Sequence, residues 1–484
     1  MLAEDADRLP ALTMTRPLVL GLDLGTGGAR ALVVAATDGT VLGGGRAACA
    51  SRRTADGRHE QDPAEWWGAA RAAITAAVGQ AGDVSGLRAI AVDGTSGSVL
   101  GLDERGAPTT AGLMYDDPRG APLRAELEAL TGAALAGCPG LLRLAWIARE
   151  LPESFARTTR FAHQADFVAA QLTGAPPVSD WSNALKSGFD AEHGVWSPWL
   201  DALPELRARL PEVVAPGASL GALAPDIARE LGLPAGVVVV AGCSDGTAGF
   251  LASGASRVGD DNTTLGTTLV FKRVADRAVS ADGLYCHVLP GGVRLPGAAS
   301  NVGGGWVREQ FGDADLTALD AAAEHALPSP HLAYPSNGGG ERFPFRTEED
   351  TAFCDAPAGD AAARYASNLQ GTAFVERLAY AALDAATGPS HGAVYATGGG
   401  AASDVWMQLR ADVSRRAFRR PACAESAFGA ALLAAGHAVF DDLWAASRAM
   451  VRVEREFVVD EARAEALEPH YERFVARLAE RGFA

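Results

Sequence analysis

Two turns rich in glycine and threonine, one near the start of each half of the chain, carry residue types that bind phosphate groups. The first spans residues 23–28 (Asp-Leu-Gly-Thr-Gly-Gly), between the apolar runs 18–22 and 31–35. The second spans residues 262–268 (Asn-Thr-Thr-Leu-Gly-Thr-Thr) and leads into the apolar run 269–271. Glycine lets the backbone come close to a ligand, and the exposed N–H groups of a tight turn can hold phosphate oxygens. One such turn is ordinary in any hairpin, but the pair predicts a nucleoside triphosphate held between two lobes.

A third chemical candidate is Asp245, at the junction between the apolar run 237–241 and a run of small residues. The pattern predicts a buried strand that delivers Gly-Cys-Ser-Asp to the start of a helix. A carboxylate at such a junction can project into a cleft and accept a proton from a substrate hydroxyl. It can equally cap the helix, because aspartate is a preferred N-cap residue. Position alone leaves both interpretations open.

The elements that must position these residues follow the same order in both halves. In the first half, Asp62 and Pro63 start an alanine-rich helix, and the buried strand 87–92 then ends in Asp-Gly-Thr-Ser-Gly. In the second half, a helix over residues 363–386 precedes the strand 393–396, which ends in Thr-Gly-Gly-Gly. One supersecondary unit present twice indicates the duplication of an α/β domain.

Three further segments lie outside this repeat. Residues 1–13 precede a second methionine and read as a disordered extension whose place in the native protein the sequence leaves open. Residues 141–172 read as helical, and residues 461–481 read as an exposed amphipathic helix.

Size and composition restrict the class of protein. A chain of 484 residues predicts two domains or more, and its 48% hydrophobic and 21% charged content is that of a globular protein. The net charge of −17 argues against nucleic acid and anionic membrane surfaces as partners, although Mg²⁺ and backbone donors still allow ATP to bind. Six scattered cysteines without a C-x-x-C pair predict reduced thiols and a cytoplasmic protein. No signal peptide or stretch of membrane-spanning length is present, so no membrane partner is expected.

Four motifs in the same order give the chain a resemblance to a known family. They are Asp23-x-Gly-Thr, Glu60-Gln-Asp-Pro-x-x-Trp-Trp67, Gly242-x-x-Asp245-Gly and Thr397-Gly-Gly-Gly-Ala-x-Ser403-x-x-Trp406-x-Gln408. Together they resemble the FGGY carbohydrate kinases, over essentially residues 17–480. The resemblance implies an α/β protein of two ribonuclease-H-like (actin/hexokinase ATPase) domains with an interlobe cleft. It implies an N-terminal extension over residues 1–16, a sugar-binding domain with the catalytic aspartate over 17–254, and an ATP-binding domain over 255–484.

The resemblance also implies roles for the residues that could do chemistry. Asp245 is the expected general base, and the alternative role of a helix cap becomes secondary. Asp23 matches the residue near Mg²⁺ and the transferring phosphate. Asp23 and Asp245 are therefore expected to hold the ion through water. Both residues are also expected to contact the sugar. Thr26 offers a hydroxyl and an N–H group to the γ-phosphate. The chain departs from the family at Gly27, where many relatives carry serine.

The nucleotide is expected to meet residues of the second half. Gly266 and Thr267 match the second phosphate loop. Gly398, Gly399 and Gly400 match the adenosine segment, where missing side chains admit the nucleotide. Ser403 stands where a polar residue meets the adenine. Trp406 is expected to flank the base, although a tryptophan on a helix is also typical of a core.

The sugar site is implied by two segments. Ser96 follows the strand 87–92, and Asp117 lies in an aromatic-x-Asp-x-Arg element, for which a solvated turn before proline is the alternative. The Gln-Met-His-Gly motif usual in xylulokinases is absent, and the Asp-Gly-Thr-Ser-Gly segment resembles xylulokinase-like proteins of plants and cyanobacteria that act on D-ribulose. D-Ribulose is therefore the first expected substrate, with D-xylulose, L-ribulose, a pentitol and glycerol as rivals.

A different class also fits part of the pattern. The chain could be an ATP-binding regulator that has lost catalysis, although the joint presence of Asp23, Thr26 and Asp245 argues against it. The expected partners are a sugar and ATP, in a monomer or a homodimer.

Overall fold

The structure is a computed structural model that describes residues 16–336 and 338–483. The extension expected over residues 1–16, and with it the segment 1–13, lies outside the described residues except for Arg16.

From residue 16 onward, where the structure describes the chain, the first half contains fifteen strands and nine α-helices. The strands are β1 Leu18–Gly25, β2 Gly28–Ala35, β3 Val41–Ala48, β4 Arg52–Arg53, β5 His59–Gln61, β6 Leu87–Gly94, β7 Val99–Leu102, β8 Gly112–Leu113, β9 Arg160–His163, β10 Val178–Asp180, β11 Phe189–Asp190, β12 Val195–Trp196, β13 Glu212–Val214, β14 Ser219–Ala222 and β15 Val238–Ser244, among the described residues. The helices are α1 Pro63–Ala81, α2 Arg124–Thr131, α3 Pro139–Glu150, α4 Pro152–Arg157, α5 Gln164–Thr173, α6 Trp181–Ala184, α7 Pro204–Arg207, α8 Pro225–Glu230 and α9 Asp245–Ser253.

The second half contains the remaining elements of the described chain. Its strands are β16 Asp261–Leu265, β17 Leu269–Arg273, β18 Tyr285–Leu289, β19 Val293–Ser300, β20 Ala333–Tyr334, β21 Phe353–Cys354, β22 Val394–Thr397, β23 Phe418–Pro421 and β24 Val453–Phe457. Its helices are α10 Gly305–Phe311, α11 Leu316–Ala326, α12 Ala361–Thr387, α13 Asp404–Ser414, α14 Ser426–Ala438, α15 Leu443–Met450 and α16 Glu461–Glu480. Within the described ranges, every helix is too short or too polar to span a bilayer.

Both halves are built on a sheet of the same topology. The first sheet has the order β14-β15-β6-β1-β2-β3, and the second has the order β18-β19-β17-β16-β22-β23-β24. In each, three antiparallel strands (β3-β2-β1 and β19-β17-β16) are followed by two parallel strands (β6 and β15, β22 and β23). This repeated order confirms the α/β class with two ribonuclease-H-like units.

Both predicted hairpins are present at corresponding places in the two sheets. In the first, Gly25 pairs with Gly28, so the turn consists of Thr26 and Gly27. Gly28 has a φ of +141°, and a Cβ there would lie 2.0 Å from the carbonyl oxygen of Ala47. In the second hairpin the turn is one residue longer, and the N–H group of Gly266 donates to the carbonyl of Thr268 at 3.0 Å. Glycine is thus required by packing in the first turn, whereas the second turn is held by its own hydrogen bond.

The two halves share a hydrophobic core. Helix α14 of the second half packs on the first sheet and on α9, and the buried cluster there combines Val19 and Val240 with Phe428 and Leu432. The contact is close because glycines line it: a Cβ at Gly21 would lie 1.8 Å from the carbonyl oxygen of Ala427. Because this core joins the halves, the boundary near residue 254 stays a prediction.

The prediction of one helix over residues 141–172 is wrong in part. The segment forms α3, α4, the strand β9 and α5. Pro152 lacks an N–H group and starts a new helix, while β9 pairs with β7 at the edge of a five-stranded sheet. Phe161 and Ala162, successive residues of β9, are buried in two different hydrophobic clusters. A short run of buried apolar residues does not distinguish such a strand from a buried helix. The amphipathic helix expected over 461–481 is confirmed as α16.

Candidate active site

Two carboxyl groups lie side by side where β1 and β6 end. Asp23 and Asp93 are register partners in this parallel pair, and they are 4% and 0% exposed. Asp23 accepts a long hydrogen bond, 3.3 Å, from the guanidinium of Arg30, its partner across the hairpin. Neither carboxyl oxygen of Asp93 has a donor among the described residues. Burial, and then the negative charge of Asp23, raise the pKa of Asp93 well above its ordinary value.

Asp245 is the first residue of α9, directly after β15. The N-cap of this helix is Ser244, so the capping interpretation of Asp245 is wrong. The half-buried carboxylate accepts the N–H group of Gly246 at 2.7 Å. Burial is the main cause that raises the pKa of Asp245, and the charge of Asp23 adds to it, while the N–H groups of Gly246 and Ser96 and the ammonium of Lys272 act against it. The net shift is upward, which brings this carboxylate closer to the basicity that a proton acceptor needs.

The first hairpin, which is predicted to bind phosphate, is held in place by a motif whose structural role the sequence did not reveal. The side-chain amide of Gln61 donates to the carbonyl oxygen of Thr26 at 2.7 Å. Its oxygen accepts the indole N–H of Trp66 at 2.6 Å. The Glu-Gln-Asp-Pro-x-x-Trp motif therefore connects the start of α1 to the turn that carries Thr26. Thr26 itself is half-buried at the tip of that turn.

A cavity of about 650 Å³ lies in the second half, between the second hairpin, α10, α11 and the start of α13. Six of the predicted nucleotide residues line it, namely Gly266, Thr267, Gly399, Gly400, Ser403 and Trp406. Its far wall contains Tyr365, whose hydroxyl donates to Asp320 at 2.9 Å. The structure thus brings together residues that are up to 140 positions apart in the chain (406 − 266 = 140).

Glycine stands at positions 398, 399 and 400 for different physical reasons. Gly398 has a φ of +85°, and a Cβ there would lie 2.5 Å from the carbonyl oxygen of Leu265. A Cβ at Gly400 would lie 2.3 Å from a methyl carbon of Leu265. At Gly399 nothing lies within 4 Å of the Cβ position. Packing explains glycine at 398 and 400, and only the open cavity explains it at 399.

Ser403 and Trp406 both have structural partners. The hydroxyl of Ser403 caps α13 by accepting the N–H group of Trp406 at 3.1 Å. Trp406 is 3% exposed, donates its indole N–H to the carbonyl of Leu369 at 3.2 Å, and packs edge-on against Trp306. Both residues lie at the floor of the cavity, and their contact with an adenine stays a prediction.

The two predicted sugar ligands differ in their surroundings. Ser96 is half-buried, and its N–H group faces the carboxylate of Asp245. Asp117 is buried and accepts hydrogen bonds from the guanidinium of Arg119 at 2.8 Å and from the N–H group of His59 at 2.8 Å. Burial alone would raise the pKa of Asp117, but these bonds lower it. The alternative of a solvated turn is wrong for Asp117, and its role as a sugar ligand stays a prediction.

Arg143 joins the two sugar segments, which the sequence did not indicate. Its guanidinium donates to the carbonyl oxygens of Gly97, at 3.1 Å, and of Asp117, at 3.0 Å, and also to that of Tyr115. The side chain is buried, and burial lowers its pKa to about 10. Arg143 thereby fixes the loop after β6 against the segment that precedes α2.

The carboxylates fit a magnesium ion that is held mainly by phosphates and water. Within residues 16–336 and 338–483 no three His, Cys, Asp or Glu side chains form a metal-binding group. Mg²⁺ usually keeps several waters and binds one or two carboxylates together with substrate phosphates. Asp23 near the end of β1 and Asp245 directly after β15 are close enough for the charge of Asp23 to raise the pKa of Asp245, and they would supply such a pair.

Two ribonuclease-H-like units, each with a hairpin predicted to bind phosphate, and a cluster of carboxyl groups at the strand ends of the first unit are typical of a phosphotransferase. The chain belongs to the FGGY family of carbohydrate kinases. The N-terminal domain of that family matches residues 18–252, and the C-terminal domain matches residues 262–438. The protein is therefore an enzyme that phosphorylates a carbohydrate.

Similar proteins include xylulose kinases along most of their length. The xylulose kinase of Escherichia coli strain K12 is 28% identical over 449 residues, which cover 86% of this chain and 89% of that one. The crystal structure of xylulose kinase from Rhodospirillum rubrum has a TM-score of 0.81 at 28% identity, over 96% of this chain and 98% of that chain. An autoinducer-2 kinase of Yersinia enterocolitica serotype O:8 is 26% identical over 92% of this chain and 91% of its own length.

Proposed function

We propose that the protein transfers the γ-phosphate of ATP to a hydroxyl of a pentulose, with D-ribulose as the first acceptor and Asp245 as the general base. The observation that carries the proposal is the position of Asp245. It is a half-buried carboxylate with a raised pKa, beside Asp23 on one side and the N–H group of Ser96 on the other. The ends of β1, β6 and β15 that carry these groups belong to the half that the family resemblance assigns to the sugar.

The residues divide the work of phosphoryl transfer. Thr26 in the first turn and Thr267 in the second present backbone N–H groups and hydroxyls to the phosphates, which orients the γ-phosphate. Gly266 donates its N–H group within the turn and, lacking a side chain, lets the phosphates come close to the backbone. Asp245 accepts the proton of the attacking hydroxyl as the new bond forms. Asp23 and Asp245 would hold Mg²⁺ through water, and the ion neutralises charge on the transferring group. The turn has Gly27 where the family resemblance implies serine, and glycine has no hydroxyl to offer the phosphates.

Discrimination between D-ribulose and D-xylulose depends on one configuration, at C3. A site that pairs a hydroxyl in one orientation leaves polar groups unpaired when the epimer binds, which is worth several kcal/mol. Ser96 and Asp117 are the proposed partners, and the segment Asp93–Gly97 supports D-ribulose by its resemblance. D-Xylulose is the second candidate, because the relatives named above include xylulose kinases.

An ADP-release assay across ketoses, aldoses and polyols tests the proposal. We expect D-ribulose to have the highest kcat/KM among the pentuloses, and Ser96→Ala to narrow its advantage over D-xylulose. A kcat/KM for D-xylulose that equals or exceeds that for D-ribulose contradicts the choice of epimer and leaves the kinase assignment intact. If none of the acceptors in the panel leads to release of ADP, the alternative of an inactive ATP-binding regulator is favoured.

Two further features complete the proposal. The six cysteines are all free thiols, which supports a reducing, cytoplasmic setting. A monomer or a homodimer is expected, and light scattering after size-exclusion chromatography distinguishes them.

A further inference from the structure

Lysine is almost absent from this chain. Of its 42 lysines and arginines only two are lysines, Lys186 and Lys272, and neither is exposed. Lys272 is 5% exposed, in β17 of the second sheet. A buried ammonium loses its hydration, and structures retain such a group only where its partners compensate for that loss.

The partners of Lys272 belong to the other half of the molecule. Its ammonium donates a hydrogen bond to the carbonyl oxygen of Gly246 in the first turn of α9. It also lies 5.7 Å from the ring centre of Phe250, one turn further along the same helix. Gly246 directly follows Asp245, so the side chain of Lys272 holds the turn that carries the proposed base.

The strand that carries Lys272 also carries the second phosphate turn. Lys272 lies three residues beyond Leu269, where that turn ends (272 − 269 = 3). At about 3.3 Å per residue, roughly 10 Å of strand separates the Cα atom of Lys272 from that of Leu269, at the end of the turn. One side chain therefore connects the turn that binds the donor to the helix that activates the acceptor.

We propose that Lys272 is a positioning residue for phosphoryl transfer, which fixes Asp245 relative to the donor-binding turn Gly266–Thr268. The inference rests on the proposed function of Asp245. Transfer requires the acceptor hydroxyl and the γ-phosphate in line, and a misplacement of 1 Å costs about 10²-fold in rate. A link between the donor turn and the base keeps that alignment when the two halves move.

The chemistry of the ammonium explains why this position holds lysine in a chain that otherwise uses arginine. A compact ammonium with three N–H donors fits between a carbonyl and an aromatic ring, whereas a planar guanidinium needs a wider, forked site. Burial lowers the pKa of Lys272 to about 8, and the charge of Asp245 acts in the opposite direction. The positive charge also acts on Asp245, where it opposes the effect of the negative charge of Asp23 on the pKa of that carboxyl.

The variant Lys272→Met tests the proposal, since methionine keeps the length of the side chain and removes its N–H donors. With the best acceptor found for the wild type, we expect kcat to fall by about 10- to 100-fold while KM for ATP and for the sugar changes by less than about threefold. The matched control is Arg277→Met, which removes an exposed cation bonded to the carbonyl of Thr387 away from the cleft. Its kcat should stay within about twofold of wild type.

A second variant separates positioning from a purely structural role. Lys272→Ala removes the atoms Cγ, Cδ, Cε and Nζ, which correspond to n-propylammonium. Adding n-propylammonium to the assay should therefore restore part of the kcat of this variant. Tetramethylammonium, which has no N–H donor, should not restore it. A folded Lys272→Met enzyme with kcat within about twofold of wild type, or an equal loss in Arg277→Met, overturns the proposal. If the methionine variant does not fold, the absence of any propylammonium effect on Lys272→Ala overturns it. A wild type that phosphorylates no acceptor would instead contradict the proposed function.

Discussion

Gly399 offers a way to test the nucleotide site without disturbing the fold. Its φ lies outside the left-handed region, it is exposed at the edge of the 650 Å³ cavity, and nothing lies within 4 Å of its Cβ position. The change Gly399→Leu therefore places a side chain in open space that the adenosine is expected to occupy. If that side chain denies the nucleoside about 100 Å² of apolar contact, the loss is about 2.5 kcal/mol at 25 cal/mol per Å². That energy corresponds to roughly a 60-fold weaker interaction with ATP.

The assay is steady-state kinetics with ATP varied at a saturating sugar concentration. We expect KM for ATP to rise by that factor, with kcat lowered by less than about threefold and an unchanged melting temperature. Gly400→Ala is the matched comparison, because its Cβ would lie 2.3 Å from Leu265. It should cost about 1–3 kcal/mol of stability through overpacking. If Gly399→Leu leaves KM for ATP within about twofold of wild type, the nucleotide does not bind beside Gly399.

Three further outcomes follow from the site and the shared core. Because the pKa of Asp245 is raised, the ionised base is lost as pH falls through a value above the ordinary pKa of 3.8. The acid limb of the pH profile of kcat/KM should therefore lie above pH 3.8. An acid limb at or below pH 3.8 would contradict the raised pKa. Gly429→Ala would place a Cβ 1.9 Å from the carbonyl oxygen of Ala248, so chemical denaturation should show a loss of at least about 1–3 kcal/mol, whereas unchanged stability would contradict the close packing of α14 on α9. Small-angle scattering should show a smaller radius of gyration with the preferred ketose and a non-hydrolysable ATP analogue, because closure hides the γ-phosphate from water, and an unchanged profile at saturation would count against closure.

Local sequence signals were sufficient for the elements that carry the site. The two turns were predicted because glycine and threonine between apolar runs favour hairpins, and both were found. The start of α1 was predicted from Asp62 and Pro63, and Asp62 does cap that helix, accepting the N–H group of Ala64 at 2.9 Å. The strand before Asp245 was predicted from a run of buried β-branched residues, and β15 ends one residue before it.

What the sequence could not reveal depends on pairing between distant segments. The pKa of Asp93 is raised by burial and by the charge of Asp23, and the two residues are neighbours because β6 aligns with β1 in a parallel pair. Lys272 meets Gly246 only because the two halves pack through α14 and α9. No local pattern contains these distances, since they arise from the register of a parallel sheet and from a shared core. The strand β9 was missed for the related reason that its partner lies far away in the chain.

The steady-state kinetics of Asp245→Asn test the role of the base most directly. The amide keeps the shape of the carboxylate and loses its negative charge and its ability to accept a proton. We expect kcat to fall by roughly 10²- to 10⁴-fold, or about 2.7–5.4 kcal/mol in the barrier, with the affinities for ATP and sugar within a few-fold of wild type. If the folded variant keeps more than about a third of the wild-type kcat, far outside that range, Asp245 is not the group that accepts the proton.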